Sequence, residues 1–320
     1  MLKSVAGSDK MKNSKRTYTS LIKEICKEEG IEVESFSDDW VFRLKKDDKF
    51  KHILGYRFEL NTGAIDSLCN DKSAASAILI SQDVPCVEHY FFLSPGNLFY
   101  LNSLGNWEEM VRLLEEHNQK VVCKQNEGTG GTNIYFVDNQ ISLEKAVQKL
   151  FSIGRSLAIS PFYEIENEYR VVILDNEILL IYKKVIPYVI GDGVNTMLQL
   201  LAKSPNKYNL KELSENIQFY DIPIEGEMVR LNWRHNLGQG ATAELVDDEE
   251  LLNQLSLIAQ QTSQVLNIRF ASVDIIKTGD ELKVLEVNSG VMMEFFSSMN
   301  ENHYEISKRI YKSAIKKMFE

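Results

Sequence analysis

"ASVDIIKTGDELKVLEVNSG" occupies residues 271–290. Two runs rich in β-branched and apolar residues flank Gly279, which is the pattern of a β-hairpin. With Gly279, Asp280 and Glu281 as a three-residue loop, Asp274 lies opposite Glu286. Side chains alternate along a strand, so Asn288 shares the face of Glu286. Two carboxylates and a carboxamide then converge beside otherwise apolar Val273, Ile275, Val284, Leu285 and Val287. Neighbouring acids are costly to bury unless a cation joins them, and hard oxygen ligands suit Mg²⁺. A two-residue loop would instead split the acids between the two faces and leave an ordinary exposed strand. The hairpin alone is compatible with both readings.

Upstream, "VVCKQNEGTGGTNIYFVD" (121–138) places a strand that ends on Lys124 before a loop with glycine at 128, 130 and 131. A second strand begins near Thr132. Asp71 is positioned to cap a helix over 72–83. Asn106 and Ser142 are candidate caps of two more helices, and strands are expected near 156–160, 168–175 and 177–186. Residues 203–226 are polar, with Pro205 and Pro223, and read as an excursion. Asp247 or Asp248 starts a helix with Leu252, Leu255, Ile258, Ala259, Thr262 and Leu266 at helical spacing. In the N-terminal region, Leu21, Ile22, Ile25 and Cys26 recur at helical spacing up to Gly30, and strands follow at 31–36 and 40–44. No GxGxxG motif is present there, which argues against a doubly wound nucleotide domain.

The chain has 320 residues, a net charge of −10, 44% hydrophobic and 26% charged residues. That length supports two or three modest domains, and the acidity argues against nucleic acid as the main partner. No apolar run is long enough to span a membrane. The start, MLKSVAGSDKMKNSKR, lacks a signal-peptide core. Four cysteines (Cys26, Cys69, Cys86, Cys123) form no CxxC pair, so reduced thiols in the cytoplasm are expected.

The order of Lys124 and its glycine loop, "EYRVVILDNEILLIYKKV" (168–185), "VIGDGVNT" (189–196), "WRHNLGQGATAE" (233–244) and the D…ExN hairpin resembles the ATP-grasp superfamily. The resemblance covers about residues 70–298. It is strongest toward the branch of cyanophycin synthetase, bifunctional glutathione synthetase and the ribosomal-protein glutamate ligases. It implies an α+β ATP-grasp fold, with two α+β subdomains enclosing a nucleotide. The expected division is a short leading region (1–70), a linking helix and strand (71–105), a small lid subdomain (106–185) and a large subdomain with the metal site (186–320).

By the same resemblance, Lys72 and Lys124 meet phosphates, and Gly128, Gly130 and Gly131 form a flexible lid over them. The backbone of Ser160, Phe162 and Tyr163 meets adenine, although the acid that many relatives carry here is absent. Glu168 holds ribose hydroxyls. One of Lys183 and Lys184 faces inward, and Lys183 is chosen. Arg234 and Asn236 stabilise charge at the reacting centre, while His235 points away. Asp274, Glu286 and Asn288 hold Mg²⁺, for which Mn²⁺ can substitute. The implied activity is an ATP-dependent ligation of a carboxylate to an amine on an amino acid or peptide, with a homodimer as the expected assembly and without nucleic acid or membrane. The alternatives are a phosphotransferase acting on an alcohol and a non-catalytic nucleotide binder. "NSGVMMEFF" after the ExN motif has Gly290 but lacks the family's proline, so the resemblance carries no substrate specificity there.

Overall fold

A computed structural model describes residues 16–96, 106–128, 130–204, 217–231 and 237–320. It divides into two compact units, Met1–Leu54 with Met292–Glu320, and Gly55–Val291. Among the described residues, no helix is long and apolar enough to cross a membrane.

The first unit opens with α1 (Thr17–Glu28), followed by antiparallel strands β1 (Glu32–Phe36), β2 (Val41–Lys46) and β3 (Lys49–Leu54). The four residues picked by helical spacing in α1, Leu21, Ile22, Ile25 and Cys26, are fully buried. The Glu294 carboxylate accepts hydrogen bonds from the backbone N–H groups of Thr17 and Tyr18, so a distant acid supplies the cap that Arg16 cannot.

The second unit continues with β4 (Arg57–Phe58), α2 (Gly63–Asn70), α3 (Lys72–Ile80), β5 (Tyr90–Leu93), α4 (Asn106–Glu116), β6 (Val121–Gln125) and β7 (Ile134–Val137). Then come α5 (Gln140–Ile153), β8 (Ser156–Pro161), β9 (Asn167–Leu174), β10 (Glu177–Val185) and β11 (Tyr188–Ile190). α6 (Met197–Lys203), β12 (Met228–Arg230), β13 (Thr242–Leu245), α7 (Glu249–Leu266), β14 (Phe270–Thr278) and β15 (Glu281–Asn288) complete it. The chain returns to the first unit with α8 (Glu294–Ser297) and α9 (Glu301–Phe319). Asp71 and Asp248 cap α3 and α7 as expected. The cap of α5 is Asn139 rather than Ser142, whose hydroxyl instead accepts the Asn139 N–H to close a capping box.

Strands β5-β8-β6-β7 form a small sheet covered by α4 and α5, with Met110, Leu113, Leu143 and Leu150 in its core. A five-stranded antiparallel sheet runs β13-β10-β9-β14-β15. β9 and β10, placed by sequence with the lid, hydrogen-bond here beside β14. The two faces of this sheet differ sharply. Tyr169, Val171, Ile173, Ile181, Ala271, Val273, Ile275 and Val287 share a core with Leu255 and Ala259 of α7. Each such fully buried aliphatic side chain contributes about 1.5–3 kcal/mol. The alternate positions, Glu168, Arg170, Asp274 and Glu286, lie on the opposite face.

Candidate functional site

The hairpin of β14 and β15 turns in two residues, because Thr278 pairs with Glu281 and Gly279 takes a φ of +58°. The three-residue loop read from sequence is therefore replaced by a tighter turn. A β-bulge at Leu285 then shifts the register by one, and Asp274 still pairs with Glu286. Ser272 pairs with Asn288, and the Asn288 Nδ2 donates to Glu286 Oε1 at 3.3 Å. Asp274, Glu286 and Asn288 thus share one face.

The hairpin of β9 and β10 uses the same device with the opposite outcome for the lysine pair. Asp175 and Asn176, at φ of 47° and 67°, make a two-residue turn with Leu174 opposite Glu177. Continued without interruption, that register would set Lys183 against Glu168. A bulge at Leu179 sets Lys184 there instead. Lys183 pairs with Tyr169 on the α7 side, so Lys184 is the inward lysine and the choice of Lys183 is corrected.

Four charges interlock on the polar face. Arg170 forks onto Asp274, Nε to Oδ1 at 2.8 Å and an Nη to Oδ2 at 2.7 Å. The Lys184 ammonium lies 2.9 Å from Asp274 Oδ1 and also bonds Glu168. Glu168, Lys184 and Asp274 are each buried. Burial favours the neutral form of Asp274, but Arg170 and Lys184 outweigh it and hold its pKa at about 2. Burial pushes Glu168 up to about 7 against the pull of Lys184, with the Asp274 charge adding to the rise.

Beside this network stand the two expected phosphate-side lysines. Lys124 ends β6 in a buried position. Burial lowers its pKa to about 8, Lys72 adds to the fall, and Glu286 and Glu168 oppose it. Lys72 opens α3, lies 4.0 Å from Glu286 and donates to the carbonyl of Gly128. It therefore touches both the glycine loop and the hairpin acid. Asn126, fully buried at the start of that loop, accepts the Lys72 N–H on its carbonyl and the Ser73 N–H on Oδ1. The loop is thereby anchored to the helix that carries Lys72. Gly130 and Gly131 have φ of +74° and +68°, which favours glycine at both.

Ser160 is buried at the end of β8, and the Phe162 N–H donates to the carbonyl of Lys120. The Phe162 ring meets Phe136 edge-on at 4.7 Å, and Lys283 lies 5.8 Å from the Tyr163 ring. Arg234 and Asn236 lie outside the described residues. Sequence reasoning missed Asn126 and, of the two candidate lysines, chose Lys183 over Lys184. Asparagine beside glycine reads as turn chemistry, and neither hairpin bulge has a local signature.

The donor set suits Mg²⁺ in kind, being two carboxylates and an amide oxygen on one face. Among the described residues no three His, Cys, Asp or Glu side chains form a cage by themselves. Glu286 is the partly exposed donor, while Asp274 is buried and already matched by two cations. A metal that uses Asp274 must compete with Lys184 for it.

Residues 225–313 match the RimK-like ATP-grasp domain. The chain is 24% identical over 249 residues to cyanophycin synthetase of Trichormus variabilis, covering 71% of this chain and 26% of that protein. It is 26% identical over 191 residues to the glutathione biosynthesis bifunctional protein GshAB of Listeria innocua, covering 52% of this chain and 24% of the other. The chain thus spans about a quarter of the length of either relative. The bifunctional glutathione synthetase of Pasteurella multocida superposes with a TM-score of 0.56 at 17% identity, over 94% of this chain and 44% of that one. The superposition extends over 94% of the chain and the domain match includes the D…ExN hairpin, so the chain has the ATP-grasp fold.

Proposed function

We propose that this chain is an ATP-dependent carboxylate–amine ligase acting on an amino acid or peptide. The observation that carries the reading is Lys72, whose ammonium bonds the Gly128 carbonyl of the glycine loop while lying 4.0 Å from Glu286 of the metal-type hairpin. ATP lies between the small sheet and the five-stranded sheet. Lys72 and Lys124 bind its phosphates, and Gly128, Gly130 and Gly131 bring backbone N–H groups onto them while excluding water. Glu168 is assigned to the ribose side, with Lys184 in the place first given to Lys183. The backbone of Ser160, Phe162 and Tyr163 flanks the base. Asp274, Glu286 and Asn288 would hold Mg²⁺, which would offset charge on the phosphates. From the sequence resemblance, Arg234 and Asn236 are assigned to stabilise charge on the transferred group.

A substrate carboxylate oxygen attacks the γ-phosphorus, the bond to the ADP oxygen breaks, and an acyl phosphate forms. An amine then attacks the acyl carbon, phosphate leaves with the bonding pair, and the amine proton passes to solvent. The protein's share is positioning and electrostatic stabilisation. Because it consumes ATP, the reaction is placed in the cytoplasm.

The test is interception. A screen for acid-dependent ADP release first identifies the carboxylate. Hydroxylamine should then yield a hydroxamate with ADP and phosphate. Formation of AMP, or of a phosphorylated product inert to hydroxylamine, overturns the reading.

A further inference from the structure

His89 lies between Val87 and β5, only 6% exposed. Neither of its ring nitrogens has a hydrogen-bond partner of ordinary geometry among the described residues. Buried polar atoms are nearly always satisfied, so this ring requires explanation. It lines a cavity of about 20 Å³ with Lys72, Ser76, Cys69, Cys86 and Glu286. That volume accommodates about one water molecule. Three of those walls, Lys72, Glu286 and the ring itself, offer polar partners, which a buried water needs. The separation of 4.0 Å between Lys72 and Glu286 is too long for a direct hydrogen bond and suits a bridged one.

The ring is neutral. Burial disfavours its charged form, the ammonium groups of Lys124 and then Lys72 add to that, and the Val87 backbone opposes only weakly. A neutral imidazole presents one donor and one acceptor. It can therefore hold a water that faces an ammonium on one side and a carboxylate on the other without adding charge.

We propose that His89 is a positioning residue that, through one buried water, holds Lys72 and Glu286 apart. The inference rests on the nucleotide reading above for its purpose. If Lys72 closed onto Glu286, each would neutralise the other, and neither would serve a phosphate or a cation. Held apart, both keep their free valence toward the ligand. No role was given to His89 by the sequence pattern, since a lone histidine near a strand start is ordinarily packing.

The bridge is tested on the full chain without nucleotide. A crystal structure at a resolution that shows ordered water should place one water within hydrogen-bond reach of a His89 nitrogen and of Lys72 Nζ or a Glu286 oxygen. A direct bond from the ring to either side chain, or no water there, overturns the proposal. Its purpose is tested by calorimetric binding of Mg·ATP. His89→Phe fills the space without polar atoms and should weaken binding roughly tenfold at unchanged Tm, the low end for a group acting behind a ligand. His89→Gln, whose amide donates and accepts, should restore most of that loss. Binding by the phenylalanine variant equal to wild type, or a glutamine variant as weak as phenylalanine, overturns the positioning role. If the phenylalanine variant does not fold, His89→Leu replaces it in the same comparison. Wild-type protein that binds no Mg·ATP would sink the nucleotide reading, while the water in the crystal still decides the bridge.

Discussion

Two sets of ion pairs in this chain have similar distances and opposite meanings. In the first unit, Glu24 and Glu28 of α1 and Glu29 just after it face Lys308, Lys312 and Lys316 of α9, with N–O separations of 2.6 to 3.2 Å. In the second unit, Arg170, Lys184, Glu168 and Asp274 interlock at comparable lengths beneath the candidate site. The glutamates of the ladder reach water; the side chains of Lys184, Glu168 and Asp274 are at most 8% exposed. Exposed pairs gain little because solvent screens them and the long side chains lose entropy. Buried pairs cost desolvation that hydrophobic residues of the same shape would avoid. Three buried charges and the partly buried Arg170 sit on one face of a sheet whose other face packs a largely apolar core, and perturbed charges of this kind cluster at functional sites.

The largest effect should come from breaking the buried set. Asp274→Asn leaves Arg170 and Lys184 without their shared anion, and loss of one partner of such a pair costs about 3–5 kcal/mol. Chemical denaturation should show that loss together with loss of turnover. Glu286→Gln should abolish turnover with little change in stability, since Glu286 is partly exposed and pairs only at 4.0 Å. Equal stability losses in the two variants would mean that the acids are not divided into a buried and an open half.

Next in size is the lysine pair. Lys184→Met places Glu168 and Asp274 together without a cation between them and should destabilise the fold by about 2 kcal/mol or more. Lys183→Met, on the other side of the same strand, should change stability by less than about 0.5 kcal/mol. The reverse ranking in urea melts would restore Lys183 to the site.

That pair also shows what was legible in the sequence. Strands β9 and β10 were expected at 168–175 and 177–186, and the β14–β15 hairpin was read around a three-residue loop of Gly279, Asp280 and Glu281. The apolar alternation is strong enough to identify both strands of each. In neither was the bulge visible, because an extra residue changes the register without changing composition. At Leu285 the bulge compensated a turn shorter than expected, so the acids met as read. At Leu179 it moved Lys184 into the place assigned to Lys183. The ATP-grasp fold was legible because the resemblance depends on the order of motifs. The inward side chains depend on register, which the bulges set within each hairpin and the pairing of β14 with β9 sets between them. The same holds for Asn126, whose partner is the N-terminus of α3, and for Glu294, which caps α1 from the far end of the chain.

A smaller effect should follow from Lys124. Its pKa of about 8 lies below the ordinary lysine value of 10.5. Between these values the unfolded chain binds more protons than the folded one, so this group makes stability rise with pH across that window. A polyphosphate favours the ammonium form, so nucleotide affinity should fall across the same window. Opposite slopes in melting and in binding are the signature. Calorimetry in buffers of different ionisation enthalpy should show proton uptake on binding just above pH 8, fading toward neutrality. Parallel slopes, or uptake that persists in Lys124→Met, would assign the titration elsewhere.

The smallest effect belongs to the ladder of α1 and α9. Lys308 bonds both Glu24 and Glu28, and Tyr304 also donates to Glu24. Those hydrogen bonds lower the pKa of Glu24, with Lys308 as the first cause, and they are made at the edge of solvent. Lys308→Met keeps the aliphatic stem that lies along the helix and takes away only the charge. Its Tm should stay near that of wild type in dilute buffer, and any difference should shrink in molar salt, where a Debye length of about 3 Å weakens interactions between exposed charges. In the same salt, Asp274→Asn should keep its full penalty, because the buried pairs are beyond the reach of mobile ions. A ladder variant that melts far below wild type in high salt would show that α1 and α9 depend on these pairs as the sheet depends on Asp274. The contrast between the two sets would then rest on geometry rather than burial.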